Sequence, residues 1–256
     1  MELGLAGKVA VVTGASRGIG RAVVDELLAE GVLVVAGARD VTSLLGVTDV
    51  SAVSVDLATP EGPGLLLDAA VSAHGGVDFV VNNLGDLRLH FGGFTSITDE
   101  DWLWSFEVNF MSTVRTIRAA IPHLIERHGV IVNIASLNGR IPAPEAPEYS
   151  AMKAAQLNLT RSLALELTPL GVRVNAVSPG PVLTDMQVGP GRIAEQVVAE
   201  TGGSVDQYVT GVKQVSPLGR FASPEEIASA VVLLLSERLG YVTGAEIAVD
   251  GALQSG

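Results

Sequence analysis

Cysteine is missing from all 256 residues, and with it every disulfide, thiolate nucleophile and Cys-ligated metal centre. Positive charge is scarce: 16 Lys and Arg stand against 28 Asp and Glu, for a net charge of −12. A nucleic-acid binder carries a basic face, so DNA and RNA are not expected partners, and the acidic excess reads as a solubility feature. Aromatic residues make up only 4% of the chain, and Trp102 and Trp104 sit beside three acids, Asp99, Glu100 and Asp101. That clustering reads as packing at a helix start or a subunit contact rather than base stacking. The histidines, His74, His90, His123 and His128, are scattered and no HExxH occurs, so no metal site is expected. Neither a GxSxG nucleophile elbow nor a GxxxxGK[ST] phosphate loop is found. No apolar run approaches the roughly 18 residues that a spanning helix needs. The opening MELGLAGKVA lacks the charged start and apolar stretch of a secretory signal, so a soluble, cytoplasmic protein with no membrane partner is expected.

What the chain does have is two alternating periods. Short β-branched runs recur at Val9–Val12, Val32–Val35, Val53–Val55, Phe79–Val81, Val130–Ile134, Val172–Val177 and Ile247–Val249. Between them lie segments with helical spacing, such as Ile19, Ala22, Val23 and Leu27 on one face. Near-continuous apolar strands alternating with helices predict α/β architecture: a single doubly wound, Rossmann-type parallel sheet with helices on both faces. The length suits one domain over residues 1–256. Ser223-Pro224-Glu225-Glu226 carries a helix-start signature, with an N-cap serine, proline at the first position and acids in the first turn. One stretch breaks the rhythm: from Pro179 to Arg220, glycine and proline punctuate a weak helical pattern. A lid at about 181–216 is expected there, with about Pro190 to Tyr208 ordering only when ligands bind.

Two sets of residues carry chemistry. Thr13-Gly14-Ala15-Ser16-Arg17-Gly18-Ile19-Gly20 follows the first strand and opens the first helix. Glycines there let the backbone approach a pyrophosphate, and the helix N-terminus offers free N–H donors. Farther along, Tyr149 and Lys153 stand four residues apart, on one face of a helix running to about Leu170. An ammonium beside a phenol favours the phenolate, lowering the tyrosine toward working pH for proton transfer. Ser136 follows the strand Val130–Ile134, at the end of a parallel sheet where ligands bind, and its hydroxyl can bond a carbonyl oxygen as charge develops.

In its spacing, TGxxxGxG resembles the cofactor turn of the short-chain dehydrogenase/reductase family, and the resemblance extends over nearly the whole chain. Asn82-Asn83-Leu84-Gly85 resembles the family's NNAG, with Leu84 in place of alanine. Asn109, Ser136, Tyr149 and Lys153 match the family's catalytic tetrad in order and spacing, and Pro179-Gly180, Val182 and Thr184 resemble the segment that contacts the nicotinamide carboxamide. The resemblance, strongest toward 3-oxoacyl-thioester reductase-like members, implies hydride transfer between a ketone and a secondary alcohol. Tyr149 would be the general acid/base, Lys153 would also bond the nicotinamide ribose, Ser136 would orient the carbonyl, and Asn109 would hold a water relay. The implied cofactor contacts are Gly14, Ser16, Arg17, Gly18, Ile19, Gly20, Arg39, Asp56, Leu57, Asn83, Tyr149, Lys153, Pro179, Val182 and Thr184.

NAD-preferring relatives usually place an acid where this chain has Ala38. Arg39 and Arg17 are instead suited to a 2′-phosphate, so NADP(H) is the preferred cofactor, with NAD(H) as an alternate because Asp40 lies one place on. A cofactor-sensing regulator without chemistry would be expected to have lost Tyr149 or Lys153. An enoyl reductase would use a longer tyrosine-to-lysine spacing, and a sugar-nucleotide epimerase a longer C-terminal substrate domain. Leu87, Leu89, Phe91, Phe94, Leu183, Met186 and Val188 lean toward a lipophilic carbonyl substrate. Apolar residues on several sides of the Tyr149 helix, with a C-terminal run Gly244–Leu253 resembling a family interface segment, predict a homotetramer.

Overall fold

A computed structural model describes residues 2–255. Its strands are β1 (Val9–Thr13), β2 (Leu33–Ala38), β3 (Val50–Ser54), β4 (Phe79–Asn82), β5 (Val130–Ile134), β6 (Arg173–Pro179) and β7 (Glu246–Val249). All pair in parallel in one sheet of order β3-β2-β1-β4-β5-β6-β7. Among the described residues the α-helices are α1 (Gly18–Ala29), α2 (Gly62–His74), α3 (Asp99–Phe106), α4 (Ser112–Arg127), α5 (Pro147–Leu167), α6 (Asp185–Val188), α7 (Ile193–Thr201), α8 (Val205–Val215) and α9 (Pro224–Leu235).

The period of two along each strand builds the layers. Ala10 and Val12 point to one face and pack with Val23, Leu27, Ile227 and Val231 of α1 and α9. Val9 and Val11 point to the other and pack with Leu66, Ile117, Leu124 and Leu167 of α2, α4 and α5. The interior strands β1, β4 and β5 are buried throughout, which is why they read as unbroken apolar runs. Edge strand β3 is only half-buried and begins at Val50, three residues before the run that marks it in the sequence. Ser223 caps α9 as expected: its Oγ accepts from the Glu226 N–H, the Glu226 carboxylate accepts from the Ser223 N–H, and Pro224 stands at the first position.

Two regions depart from expectation. Asp78, a solvated or capping acid by its sequence context, is buried at the N-terminal edge of the sheet. Its Oδ2 accepts from the Val9 N–H at 2.9 Å and from Arg127 at 3.1 Å, while Lys8 approaches Oδ1 at 3.4 Å. The Gly/Pro-rich stretch after β6 is also more helical than its weak pattern implies, since it contains α6, α7 and α8. Ser204 and Gln207 form a reciprocal cap at the start of α8. Among the described residues no helix is long and apolar enough to cross a membrane.

The strand order reverses at β1, whose neighbours β2 and β4 are reached by crossovers on opposite faces of the sheet. In such sheets a crevice opens beyond the carboxyl ends of the strands at the reversal, and the residues singled out in the sequence gather there.

Candidate active site

β1 runs into Gly14 and α1 starts at Gly18, with φ of +64° and +55°, a left-handed backbone that a Cβ would strain. A Cβ on Gly20 would collide with the Gly14 carbonyl oxygen and the Asn83 amide. The turn is thus folded on itself and on the end of β4. Asn83 Nδ2 donates to the carbonyls of Thr13 and Gly14, both at 3.0 Å. Thr13 Oγ1 accepts from the N–H groups of Asn83 and Leu84 at 2.9 and 3.0 Å. No side chain caps α1, so its leading N–H groups and the positive end of its dipole are left for an anion.

Around this turn stand the other expected cofactor contacts. Ser16 is half-buried, and Ile19 packs on the core. Arg17 and Arg39 are exposed, and among the described residues neither forms an ion pair. Asp40 accepts from the Thr42 N–H at 2.9 Å, and its bonds to Thr42 hold the carboxyl below its ordinary range. Leu57 is buried just past β3, where Asp56 Oδ1 accepts from the Ala58 N–H at 3.0 Å. Pro179 ends β6, Val182 bridges to Ala222, and the Thr184 methyl lies 3.4 Å from where a Gly18 Cβ would stand. The segment after β6 and the glycine turn therefore lie against one another at the carboxyl ends of the strands. Tight glycines, an uncapped 12-residue helix and unpaired guanidinium groups fit a dinucleotide.

The four tetrad residues come together beside the crevice. Ser136 follows β5, and its hydroxyl accepts from the Asn138 N–H at 3.1 Å and lies near enough to the Tyr149 phenol to influence it. Tyr149 and Lys153 lie one turn apart on α5, with the ammonium 5.7 Å from the phenol ring centre. Asn109 sits in a π-helical segment, Glu107–Met111, between α3 and α4. A single widened turn of this kind re-aims a side chain and recurs at functional sites. Gly85 joins the set: a Cβ there would lie 3.2 Å from Asn109 Oδ1 and 3.4 Å from Lys153 Nζ. All four tetrad residues are buried.

A buried polar ladder, not anticipated from the sequence, holds Lys153. Its Nζ donates to the Ile134 carbonyl at 2.8 Å and to Gln156 Oε1 at 3.2 Å, and Gln156 Nε2 donates to Thr113 Oγ1 at 3.0 Å. Asn82 donates to Asn133 at 2.8 Å, Asn133 to Thr160 at 2.9 Å, and Thr160 to the Gln156 carbonyl at 2.9 Å. The available signal was the pair of asparagines inside otherwise apolar strands, since a buried amide must find partners.

The electrostatics correct one expectation. Burial pushes the Tyr149 phenol up to about 12, the neighbouring Ser136 hydroxyl draws it down, and the Asp86 charge raises it further. Burial pulls Lys153 down to about 7. Desolvation is the leading cause of both shifts, so burial rather than the spacing of the two side chains decides how they titrate. By the protein's own groups, then, Tyr149 is a protonated phenol at neutral pH.

The crevice has an apolar side. Leu87, Leu89, Phe91, Met186 and Val188 are half-buried, whereas Leu183 is exposed and Phe94 turns outward against Trp102, with ring centres 6.5 Å apart. Arg192, in the Gly/Pro-rich stretch after β6, bonds both carboxylate oxygens of Asp86, at 3.1 and 3.4 Å.

Comparison with known proteins agrees with this geometry. A family model described as Enoyl-(Acyl carrier protein) reductase matches residues 14–253. A 3-oxoacyl-(acyl-carrier-protein) reductase of Vibrio cholerae is 33% identical, covering 98% of this chain and 99% of the relative. The chain belongs to the short-chain dehydrogenase/reductase family. It is an oxidoreductase of the kind that acts on carbonyl or alcohol groups. A 3beta-hydroxysteroid dehydrogenase of Eggerthella lenta is 35% identical over 97% of this chain and 94% of the relative. The structure of L-sorbose reductase from Gluconobacter frateurii, complexed with NADPH and L-sorbose, superposes with a TM-score of 0.90 at 35% identity, covering 98% of each chain. Although the family model's description names an enoyl reductase, these relatives are named for carbonyl and alcohol chemistry.

Proposed function

We propose that this short-chain dehydrogenase/reductase is an NADP(H)-preferring ketone reductase in which Tyr149 delivers the proton. The observation that carries the reading is the junction of Ser136, Tyr149, Lys153 and Asn109 in one buried cluster, with Gly85 packed against both Asn109 and Lys153. The bound nicotinamide would supply the hydride. Tyr149 donates its proton to the oxygen on which negative charge develops, and Ser136 bonds the same oxygen. A phenol raised by burial is protonated at neutral pH and so holds the proton that reduction requires. Lys153 stabilises the phenolate left behind and would also hold the nicotinamide ribose; Asn109 anchors the water chain that returns the proton. Arg17 and Arg39 would hold a 2′-phosphate, while Gly14, Gly18 and Gly20 with Asn83 shape the pyrophosphate turn. The preference for NADP(H) is supported by the unpaired state of both arginines and by the engagement of Asp40 with Thr42. NAD(H) remains the alternate cofactor.

The half-buried apolar side of the crevice supports a lipophilic ketone, and residues 181–216 serve as its lid. A homotetramer is supported by α5, which buries Leu157 and Ala164 yet leaves Leu165 exposed on its outer face. The deciding experiment is a panel of cyclic ketones, steroids, 3-oxoacyl thioesters and keto sugars followed by NADPH absorbance, with NADH alongside. The expected result is consumption with at least one lipophilic member and a higher kcat/KM for NADPH. Consumption of none would contradict the activity, and better use of NADH would contradict the cofactor preference alone.

A further inference from the structure

The lid touches the catalytic wall through an opposite-charge pair that the mechanism above does not use. Asp86 follows Gly85, the residue pressed against Asn109 and Lys153, and its backbone N–H donates to Asn109 Oδ1 at 3.0 Å. Its carboxylate is fixed from below by the Leu87 N–H at 3.0 Å and lies close enough to Tyr149 for its charge to be felt there. From the lid, Arg192 reaches across 106 positions of sequence to the same carboxylate. The two side chains are 29% and 24% exposed, so the pair is partly withdrawn from water.

The neighbouring charges are committed elsewhere. Glu195 accepts from the Gly191 N–H at 2.7 Å, Arg88 is paired with Asp101 at 2.8 Å and lies over Trp104, and Asp185 is exposed. Arg192 is therefore the cation that an anionic group entering beneath the lid would meet, and it already has a partner. Only Nη1 of Arg192 reaches Asp86, so a carboxylate next to the reacting carbonyl would either share the guanidinium, setting two anions on one cation in a half-buried site, or displace Asp86 and leave it unpaired. Either arrangement leaves a half-buried negative charge under-compensated, which is the costly outcome. A neutral ester, thioester or hydroxyl forces no such exchange.

We propose that Asp86 and Arg192 are specificity-determining residues that form a charge filter: the pair admits ketones whose neighbouring groups are neutral and rejects keto carboxylates. The inference rests on the reading of this site as a ketone reductase. It assigns Asp86 the role of the rejecting element and Arg192 that of a latent carboxylate anchor, a use of repulsion to obtain selectivity.

Ethyl acetoacetate and acetoacetate test it, because they share a carbon skeleton and differ in charge. The wild-type enzyme with NADPH should favour the ester in kcat/KM by at least about 100-fold, and Asp86→Asn should narrow that ratio by at least about 10-fold. Any effect of Asp86→Asn on Tyr149 acts on both substrates and cancels in the ratio. Adding Arg192→Gln should remove the gain for the acid. A ratio in Asp86→Asn equal to that of wild type, or a gain that survives in the double variant, would overturn the filter. A second arm needs no turnover: acetoacetate titrated by calorimetry onto the protein with NADP⁺ should bind Asp86→Asn at least about 10-fold more tightly than wild type or the double variant. Equal binding to all three would overturn the filter, whereas lack of turnover of every ketone with this binding order intact would contradict the reductase reading alone.

Discussion

The glycine turn and the proposed lid use the same residue type in different ways. In the turn, glycine answers crowding: Gly20 presses on the Gly14 carbonyl and the Asn83 amide, and Gly14 lies against Leu84. In the proposed lid, Gly189 is pressed on the Asp185 carbonyl oxygen, but Gly191, Gly202 and Gly211 have open space where a Cβ would stand. One region is over-determined by contacts from β1, α1 and β4, as a phosphate cradle must be if its N–H groups are to be aimed in advance. The other has few contacts to lose on moving, which suits an element that opens and closes. Glycine content therefore measures stiffness in neither; what the missing Cβ would have touched decides it.

The largest expected effect that sharpens this contrast is at Gly20. Gly20→Ala forces backbone rather than a flexible side chain to shift and should cost about 3 kcal/mol, read as lowered Tm together with weakened NADPH binding. At the edge of the same region, Arg39→Asp should weaken NADPH selectively by roughly 1.5–3 kcal/mol, the range for charge-assisted hydrogen bonds, with NADH binding unchanged or improved when both are titrated by fluorescence. Lys153 adds a pH test. Its depressed pKa means that the unfolded chain binds a proton the folded chain lacks between about 7 and the ordinary 10.5, so folding stability rises with pH across that window. The difference in Tm between Lys153→Met and wild type, taken without nucleotide, should therefore move in favour of wild type from pH 7 to pH 10. A constant difference would mean that the lysine is not desolvated. The smallest effect belongs to the lid: Gly211→Ala, inside α8 with free space around it, should raise stability by about 0.5–1 kcal/mol. If Gly211→Ala destabilised as much as Gly20→Ala, the contrast would collapse.

How much could be read from the sequence follows the same division. Strand runs, the glycine turn and the Tyr149–Lys153 spacing are local patterns, and each appears in the structure where its pattern stands, apart from edge strand β3, which starts three residues early. The Asn82–Asn133–Thr160–Gln156 ladder was not legible as a network, because the bonds from Asn82 to Asn133 and from Asn133 to Thr160 join elements distant in sequence that only the fold brings together, and only the Thr160–Gln156 bond is local to α5. Asp78 looked solvated for the same reason, since its partners Val9 and Arg127 lie 69 and 49 positions away. The lid helices are a different omission. Ser204-x-x-Gln207 is a local capping signature, but the surrounding glycines outweighed it. The high phenol pKa of Tyr149 could not be foreseen from spacing: four residues place a lysine near a tyrosine, and only burial decides which way both titrate.

The central claim is that Tyr149 supplies the proton from within an intact cofactor site. Tyr149→Phe removes one hydroxyl and leaves the glycine turn, Lys153 and the sheet untouched. Single-turnover reduction of a ketone identified by the panel, measured beside NADPH affinity, is the direct test. The account predicts a rate lowered by at least roughly 100-fold, the usual size of a lost general acid, with NADPH affinity within a few-fold of wild type. Near-wild-type turnover in that variant would contradict it.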